Sequence, residues 1–250
     1  MSPVSCIVPA RMGSSRFPGK PLFKLCGKEM IVRTLERAAL AECFDRIVCA
    51  TDSDEIAEVV SRAGFEFLLT GEAATGSDRV AEAARALDLD LVVNLQGDEP
   101  LVEPSVLWNV ARTLAENPDC WVTVACPLKP EDVPLKTVVK VLVKDGFAVD
   151  FRREIPAGEA GRWFQHQGIY AYSRKSRDEF TSLSQSKLEL ERSLEQMRIM
   201  GVRPIRMVQS PYESISVDVP SDANAVEALL HEQKKQGLLD GRFKEPLRSP

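Results

Sequence analysis

The sequence predicts an α/β protein: a parallel sheet covered by helices on both faces, then an α+β insertion and a return to the main sheet. Two observations lead there. Up to Leu114 short apolar runs alternate with helical periods, and past Cys120 the rhythm changes to closely spaced strand candidates with one helix among them. The 250 residues, 44% hydrophobic and 28% charged, suit an ordinary globular chain.

Ser5–Pro9, Arg46–Thr51 and Asp90–Leu95 are too short for helices and read as buried strands. Between them, Ile31, Leu35 and Ala38 share one helix face, as do Ile56, Val59, Val60 and Ala63, and then Val80, Ala83, Ala84 and Leu87. A fourth helix starts at Pro104, whose fixed φ suits a first turn, and buries Leu107, Val110, Ala111 and Leu114. Trp121–Cys126, Val138–Val143 and Phe164–Tyr172 are the later strands, with a helix over Leu188–Met200. Ser214–Val217 reads as a strand that rejoins the sheet, and Ser221 with Asp222 opens a last helix through Val226, Leu229 and Leu230. The tail from Gly241 is expected to be loose. Residues 1–250 are taken as one domain, with 120–210 an approximate subregion within it.

Composition removes several functions. With 32 basic against 37 acidic side chains the net charge is −5, which argues against duplex nucleic acid as a partner. No stretch reaches the roughly 20 apolar residues of a membrane span, and the N-terminus lacks a basic leader, so a cytoplasmic protein with no membrane partner is expected. The six cysteines form no C-x-x-C pair and read as reduced structural thiols. Only two histidines are present, so any metal must be held by oxygen.

Chemistry concentrates in Pro9–Leu22, directly after the first strand, where an open parallel sheet binds its ligands. Gly13 and Gly19 permit close approach of backbone amides, and Arg11, Arg16 and Lys20 place three cations within ten residues. Two familiar phosphate loops do not fit. Five residues separate Gly13 from Gly19 where the Walker pattern needs four, Pro21 stands where its hydroxyl belongs, and G-x-G-x-x-G is absent. Taken alone, the loop is either a polyanion cradle or a solvated basic loop. Asp98, in Asn94–Pro100 after the third strand, is either a magnesium ligand or a local turn cap. Asp218 offers a second carboxylate for the same ion, or else caps the last helix, a role that Ser221 and Asp222 fit as well.

Five segments in this order, Pro9-Ala10-Arg11 through Ser14-Ser15-Arg16-Phe17-Pro18-Gly19-Lys20-Pro21, Gly76-Ser77-Asp78-Arg79, Asn94-Leu95-Gln96-Gly97-Asp98-Glu99-Pro100, His166-Gln167-Gly168-Ile169-Tyr170 and Leu194-Glu195-Gln196-Met197-Arg198, resemble the 3-deoxy-manno-octulosonate (Kdo) cytidylyltransferases. Each is weak alone; together they span residues from about 4 to about 230. The resemblance implies a nucleotide-diphospho-sugar-transferase-like, Rossmann-like three-layer mixed sheet, with an insertion for sugar binding and dimerisation. It implies a homodimer that couples CTP to a Kdo-type sugar acid for lipopolysaccharide synthesis, with magnesium as cofactor. Carried over by position, Lys20, Arg11 and Asp98 are catalytic, and Ala10, Arg11, Ser14, Arg16, Lys20, Gly76, Ser77 and Arg79 bind nucleotide. Gln96, Arg153, His166, Tyr170, Glu195 and Gln196 line the sugar pocket, and Asp98 with Asp218 holds the metal.

The departures fall on the sugar side. Where the family reads Tyr-Phe-Ser-Arg, this chain has Asp150-Phe151-Arg152-Arg153, and Arg192 replaces an acidic residue of the later helix. Asp150 is free to pair with Arg152 or Arg192, or to accept a substrate ammonium. The 8-amino analogue of Kdo, which some family members use, therefore stands as an alternative, as does a CMP-sialic-acid-type activity. A nucleotide-binding regulator without turnover is the reading from another class; it needs the basic loop but not both aspartates. His166 and Tyr170 also fit plain core positions, and Glu195 with Gln196 a solvated helix face.

Overall fold

Every residue of Val4–Ala10 is buried, as a strand covered on both faces requires, and this run forms β1. The computed structural model describes residues 3–13, 16–156, 158–213 and 215–235. Lys24–Leu25 and Lys28–Glu29 make a small antiparallel ribbon, β2 and β3, turned at Cys26 and Gly27, both at positive φ. The chain continues through α1 (Met30–Leu40), β4 (Ile47–Thr51), α2 (Asp54–Arg62), β5 (Glu66–Leu69), α3 (Gly76–Ala86), β6 (Leu91–Leu95) and α4 (Pro104–Glu116). It goes on with β7 (Trp121–Pro127), β8 (Lys140–Lys144), β9 (Phe147–Arg152), β10 (Trp163–Ser173), α5 (Arg174–Ser182), α6 (Lys187–Arg192), β11 (Ile205–Gln209) and α7 (Pro220–Lys235). Ile31, Leu35 and Ala38 are fully buried on α1, and Leu107, Val110, Ala111 and Leu114 are buried on α4. Ser53 accepts the Ile56 N–H and Thr75 the Asp78 N–H, so α2 and α3 both begin at an N-cap.

The chain divides into two compact units, one of Pro3–Asp88, Asn94–Trp108 and the part after residue 213, the other including Leu89–Val93 and Asn109–Glu213. In the first unit β1 runs parallel to β4, with Cys6 opposite Ile47 and Ala10 opposite Thr51, and β4 runs parallel to β5. Its core joins the loop after β1 to the last helix through Phe17, Leu25, Met30, Leu101, Val217, Ala223, Val226 and Leu230. In the second unit β7 pairs antiparallel with β10 and parallel with β11, and β9 pairs antiparallel with both β11 and β8. β8 also pairs with the start of β10, so this mixed run of five strands closes on itself. Trp121 anchors its core, with ring centroids 4.8 Å from Tyr172 and 5.0 Å from Phe180. All six cysteines are free thiols. No helix among the described residues is long and apolar enough to cross a membrane.

Three sequence expectations need correction. The helix expected over Leu188–Met200 stops at Arg192, because Ser193 turns left-handed at φ 52°, and a single 3-10 turn over Glu195–Met197 follows. Its inward residue is Glu189, whose carboxylate takes both Arg198 bonds at 2.6 and 2.9 Å, while Leu188 and Leu190 face out. No strand forms over residues 215–217, and Ser214 lies outside the described residues. Instead Val217 makes one backbone bond to the Asp98 carbonyl, and the next two amides turn to the Asp222 carboxylate at 2.8 and 3.0 Å. On α7 the inward face is Ala223, Val226 and Leu230; Leu229 is exposed. β5, β9, β11 and α5 are elements that the pattern of apolar residues did not announce. The tail from Gly241 lies outside the described residues.

Candidate active site

A cleft of about 360 Å³ opens in the first unit where β1 gives way to its loop. Its lining comes from the loop after β1, from Met30, from Ala73 to Arg79, from Gln96 to Asp98, and from Asp218 ahead of α7. Glycines let these backbones converge. A Cβ on Gly97 would stand 2.7 Å from the Pro9 carbonyl oxygen, so no other residue fits without moving one of the two chains. Gly76 meets the Gln96 amide less tightly, a Cβ there falling 3.1 Å from Oε1, the end of a side chain that can shift. Gly19, left-handed at φ 69°, reverses the chain and directs Lys20 back into the cleft.

Lys20 is the centre of the charge arrangement. Its ammonium donates to Asp98 Oδ2 at 2.6 Å and to the Val217 carbonyl at 2.8 Å, and lies 3.8 Å from Asp218 Oδ1. Arg16 forks onto Asp218 at 3.0 and 3.3 Å. Two cations therefore balance two carboxylates, and Arg11, exposed on the same wall, adds positive charge. Asp222, not Asp218, receives the amides ahead of α7, which leaves the Asp218 side chain to the cleft.

The far wall is fixed by buried polar bonds. Arg79, 2% exposed, bonds Asp52 at 2.5 Å, the Thr70 hydroxyl, and the Gly71 carbonyl at 3.3 Å. Gln96 donates to Asn94 at 2.8 Å and Asn94 to Ser77 at 3.0 Å, a relay that runs from the end of β6 to the first turn of α3. The structure thus brings Ala10, Arg11, Arg16, Lys20, Gly76, Arg79, Gln96, Asp98 and Asp218 onto one cleft, with Ser77 behind it. Ser14 lies outside the described residues.

Arg153, His166, Tyr170, Glu195 and Gln196 belong to the second unit. Thr123 gives its hydroxyl proton to the Ile169 carbonyl at 2.7 Å, so at 2.9 Å it accepts from His166 Nε2–H. Burial pushes the His166 pKa down to about 3, so the ring is neutral. Tyr170, its own pKa driven up by burial and by Glu195, donates to Gln196 Oε1 at 3.1 Å. Gln196 is 2% exposed, and its Nε2 has no partner among the described residues. An orphaned buried amide costs about 1–3 kcal/mol. Arg153 donates Nε to the Arg192 carbonyl, one terminal nitrogen to Lys136 and the other to Ser193, at 3.0 to 3.2 Å. Of its five N–H groups, one remains on each terminal nitrogen.

Sequence reasoning missed Asp52, Thr70, Thr123 and Lys140, the partners that hold these side chains. Lys140 is fully buried, its ammonium bonded to the Leu135 and Arg153 carbonyls at 2.5 and 2.9 Å. It sits within an apolar strand pattern, and only its position inside that run could have marked it.

Comparison with known proteins agrees with the chemistry of the cleft. A cytidylyltransferase family model matches residues 5–203. A 3-deoxy-manno-octulosonate cytidylyltransferase of Anaeromyxobacter sp. (strain K) is 44% identical over 239 residues, covering 92% of this chain and 98% of its own. The mitochondrial enzyme of the same name from Arabidopsis thaliana is 37% identical over 241 residues, covering 91% of this chain and 83% of its own. The solved structure of a CMP:2-keto-3-deoxy-manno-octonic acid synthetase complexed with CTP superposes with a TM-score of 0.88 at 31% identity, over 93% of this chain and all of the other. A 4-diphosphocytidyl-2C-methyl-D-erythritol synthase from Anaerococcus prevotii DSM 20548, at TM-score 0.65 and 17% identity, shares the mixed α/β fold.

Proposed function

Because this chain belongs to the 3-deoxy-manno-octulosonate cytidylyltransferase family, we propose that the cleft of its first unit takes CTP and that its second unit supplies the groups that bind the sugar acid. The reaction is that of a nucleotidyltransferase joining CTP to Kdo. The anomeric hydroxyl attacks the α-phosphorus, the bond from that phosphorus to its bridging oxygen breaks, and pyrophosphate leaves with the CMP-sugar formed. We read the product as serving lipopolysaccharide synthesis, and the working molecule as a cytoplasmic homodimer, both from the family resemblance.

One observation carries the assignment: Lys20 reaches both Asp98 and Asp218 at the carboxyl end of a parallel sheet. Two carboxylates that converge on one ammonium suit a hard cation, since magnesium prefers one or two carboxylates together with substrate phosphates. Asp98 and Asp218 would hold it. When bound, magnesium neutralises phosphate charge and orients the reacting group. Arg16 and Lys20 pair with the two aspartates, and a triphosphate offers the same cations phosphate oxygens. Arg11 and Arg16 then hold the phosphates, and Lys20 offsets the charge gathering on the departing pyrophosphate. Ala10, Gly76, Ser77 and Arg79 border the cytosine, with Ser14 assigned to the nucleotide by resemblance. Gln96, His166, Tyr170, Glu195 and Gln196 surround the sugar, and Arg153 grips its carboxylate. Catalysis comes from positioning and charge neutralisation, with no covalent enzyme intermediate.

Pyrophosphate release measured over a panel of nucleoside triphosphates and keto acids tests this reading. CTP with Kdo is expected to give the highest kcat/KM. Turnover of a sialic-type acid alone would replace the acceptor, and CTP binding without any pyrophosphate release would replace the enzyme with a regulator.

A further inference from the structure

The two departures from the family pattern on the sugar side meet in space. Arg192 places one terminal nitrogen on both the Asp150 carboxylate and the Phe151 carbonyl, the latter at 2.7 Å. Arg153 answers from just past β9, donating to the Arg192 and Ser193 carbonyls at 3.2 Å each. The end of α6 and the end of β9 are thus tied twice, each side chain binding the other segment's backbone. Asp150 is completed by Arg152 Nε at 2.6 Å and by the Phe151 amide at 2.9 Å. Lys140 holds the Arg153 carbonyl from beneath.

Each end of this tie leads to a group with unused N–H donors. On one side is Arg153 with its two remaining N–H groups. On the other, Ser193 turns the chain into the Glu195–Met197 turn, which carries Gln196 and its unpartnered Nε2. We propose that Asp150 and Arg192 are positioning residues that hold the Arg153 guanidinium and the turn carrying the Gln196 amide at the spacing the sugar acid needs. The proposal rests on the cytidylyltransferase reading. It also narrows the acceptor: two guanidinium groups already offset the charge of Asp150, which favours an acid with an uncharged tail, such as Kdo, over one that carries an ammonium.

Steady-state kinetics of the full-length enzyme with CTP, using Kdo and its 8-amino analogue in parallel, decides the matter. Arg192→Gln is expected to raise the KM for Kdo about tenfold with the KM for CTP unchanged within about twofold, since only the acid's binding groups lose their spacing. Arg192→Lys, which keeps the charge beside Asp150, is expected to recover most of that loss, and the near-isosteric Asp150→Asn to repeat the Arg192→Gln split with the Kdo preference unchanged. An unaltered Kdo KM in both Arg192→Gln and Asp150→Asn overturns the positioning role, as does an equal rise in both substrate KM values. A loss confined to the amino analogue in Asp150→Asn would instead make Asp150 an ammonium site. Wild-type protein with no turnover of CTP and Kdo would reject the underlying function, a result distinct from each of these.

Discussion

Asp98 is paired at 2.6 Å with a lysine that has a second anchor in the Val217 carbonyl, so its carboxylate can be neutralised without dismantling the loop. Asp98→Asn is expected to cut kcat at least about a hundredfold, the scale of losing one preorganised charge interaction, while the melting temperature stays close to wild type. Turnover near the wild-type rate at saturating magnesium would remove Asp98 from the site. His166 gives a pH prediction. Its folded pKa of about 3 lies below the ordinary value near 6.5, so between those limits the unfolded chain binds the extra proton. Stability therefore falls as pH drops below about 6.5, by up to about 1.4 kcal/mol per unit, and the loss levels off near the folded pKa. Urea unfolding of wild type and His166→Gln between about pH 4.5 and 6.5 checks this, the variant being expected to show the shallower slope; equal slopes would overturn it. Both kinds of residue were readable from sequence to different degrees. Lys20, Asp98 and Asp218 stood out because charged types at strand ends signal a site. Asp52, Thr123 and Lys140 did not, because their roles consist of bonds to residues 27, 46 and 13 positions away.

At the level of elements, strands buried on both faces and helices with a regular apolar face announced themselves: β1, β4, β6 and α1 to α4 lie close to where period and cap place them. Elements stabilised by other means were read with wrong bounds or missed. The helix expected over Leu188–Met200 ends at Arg192, and α6 turns a buried ion pair inward instead of its leucines; β5, which exposes Phe67 and Leu69, carries no apolar pattern that marks a core element. The turn after β6 has a stricter requirement. Its Gly97 has no room for a methyl group, because the obstacle is the Pro9 carbonyl and not a flexible side chain. Gly97→Ala is expected to destabilise the protein by about 1–3 kcal/mol, the usual scale of overpacking, and to raise the KM for CTP as the loop after β1 is displaced. Thermal unfolding and initial-rate kinetics check it; an unchanged KM alongside lowered stability would show that the loop absorbs the shift without loss of the cleft.

For the molecule as a whole, the net charge of −5 conceals where its charges lie. Arg11, Arg16 and Lys20 collect on the first unit's cleft, and Arg152, Arg153 and Arg192 on the second unit around a single Asp150. Each unit thus has its own cluster of cations, which suits the proposal of two acidic substrates taken by separate sets of residues. A ligand that binds the native state suppresses local opening where it contacts the chain, so each substrate should leave its own hydrogen-exchange footprint. CTP with magnesium is expected to slow amide exchange in residues 9–13, 76–79 and 96–98 while leaving 193–198 near its unliganded rate. Kdo added to the nucleotide complex is expected to slow exchange in 150–153, 166–170 and 193–198. Protection of the second set by CTP alone would show that nucleotide binding orders the acid site, and protection by Kdo confined to the first set would show that the acid is not held by Arg153 and Gln196. Either outcome would overturn the division of labour between the two units. The expected pattern would assign each substrate to the unit whose charges match it.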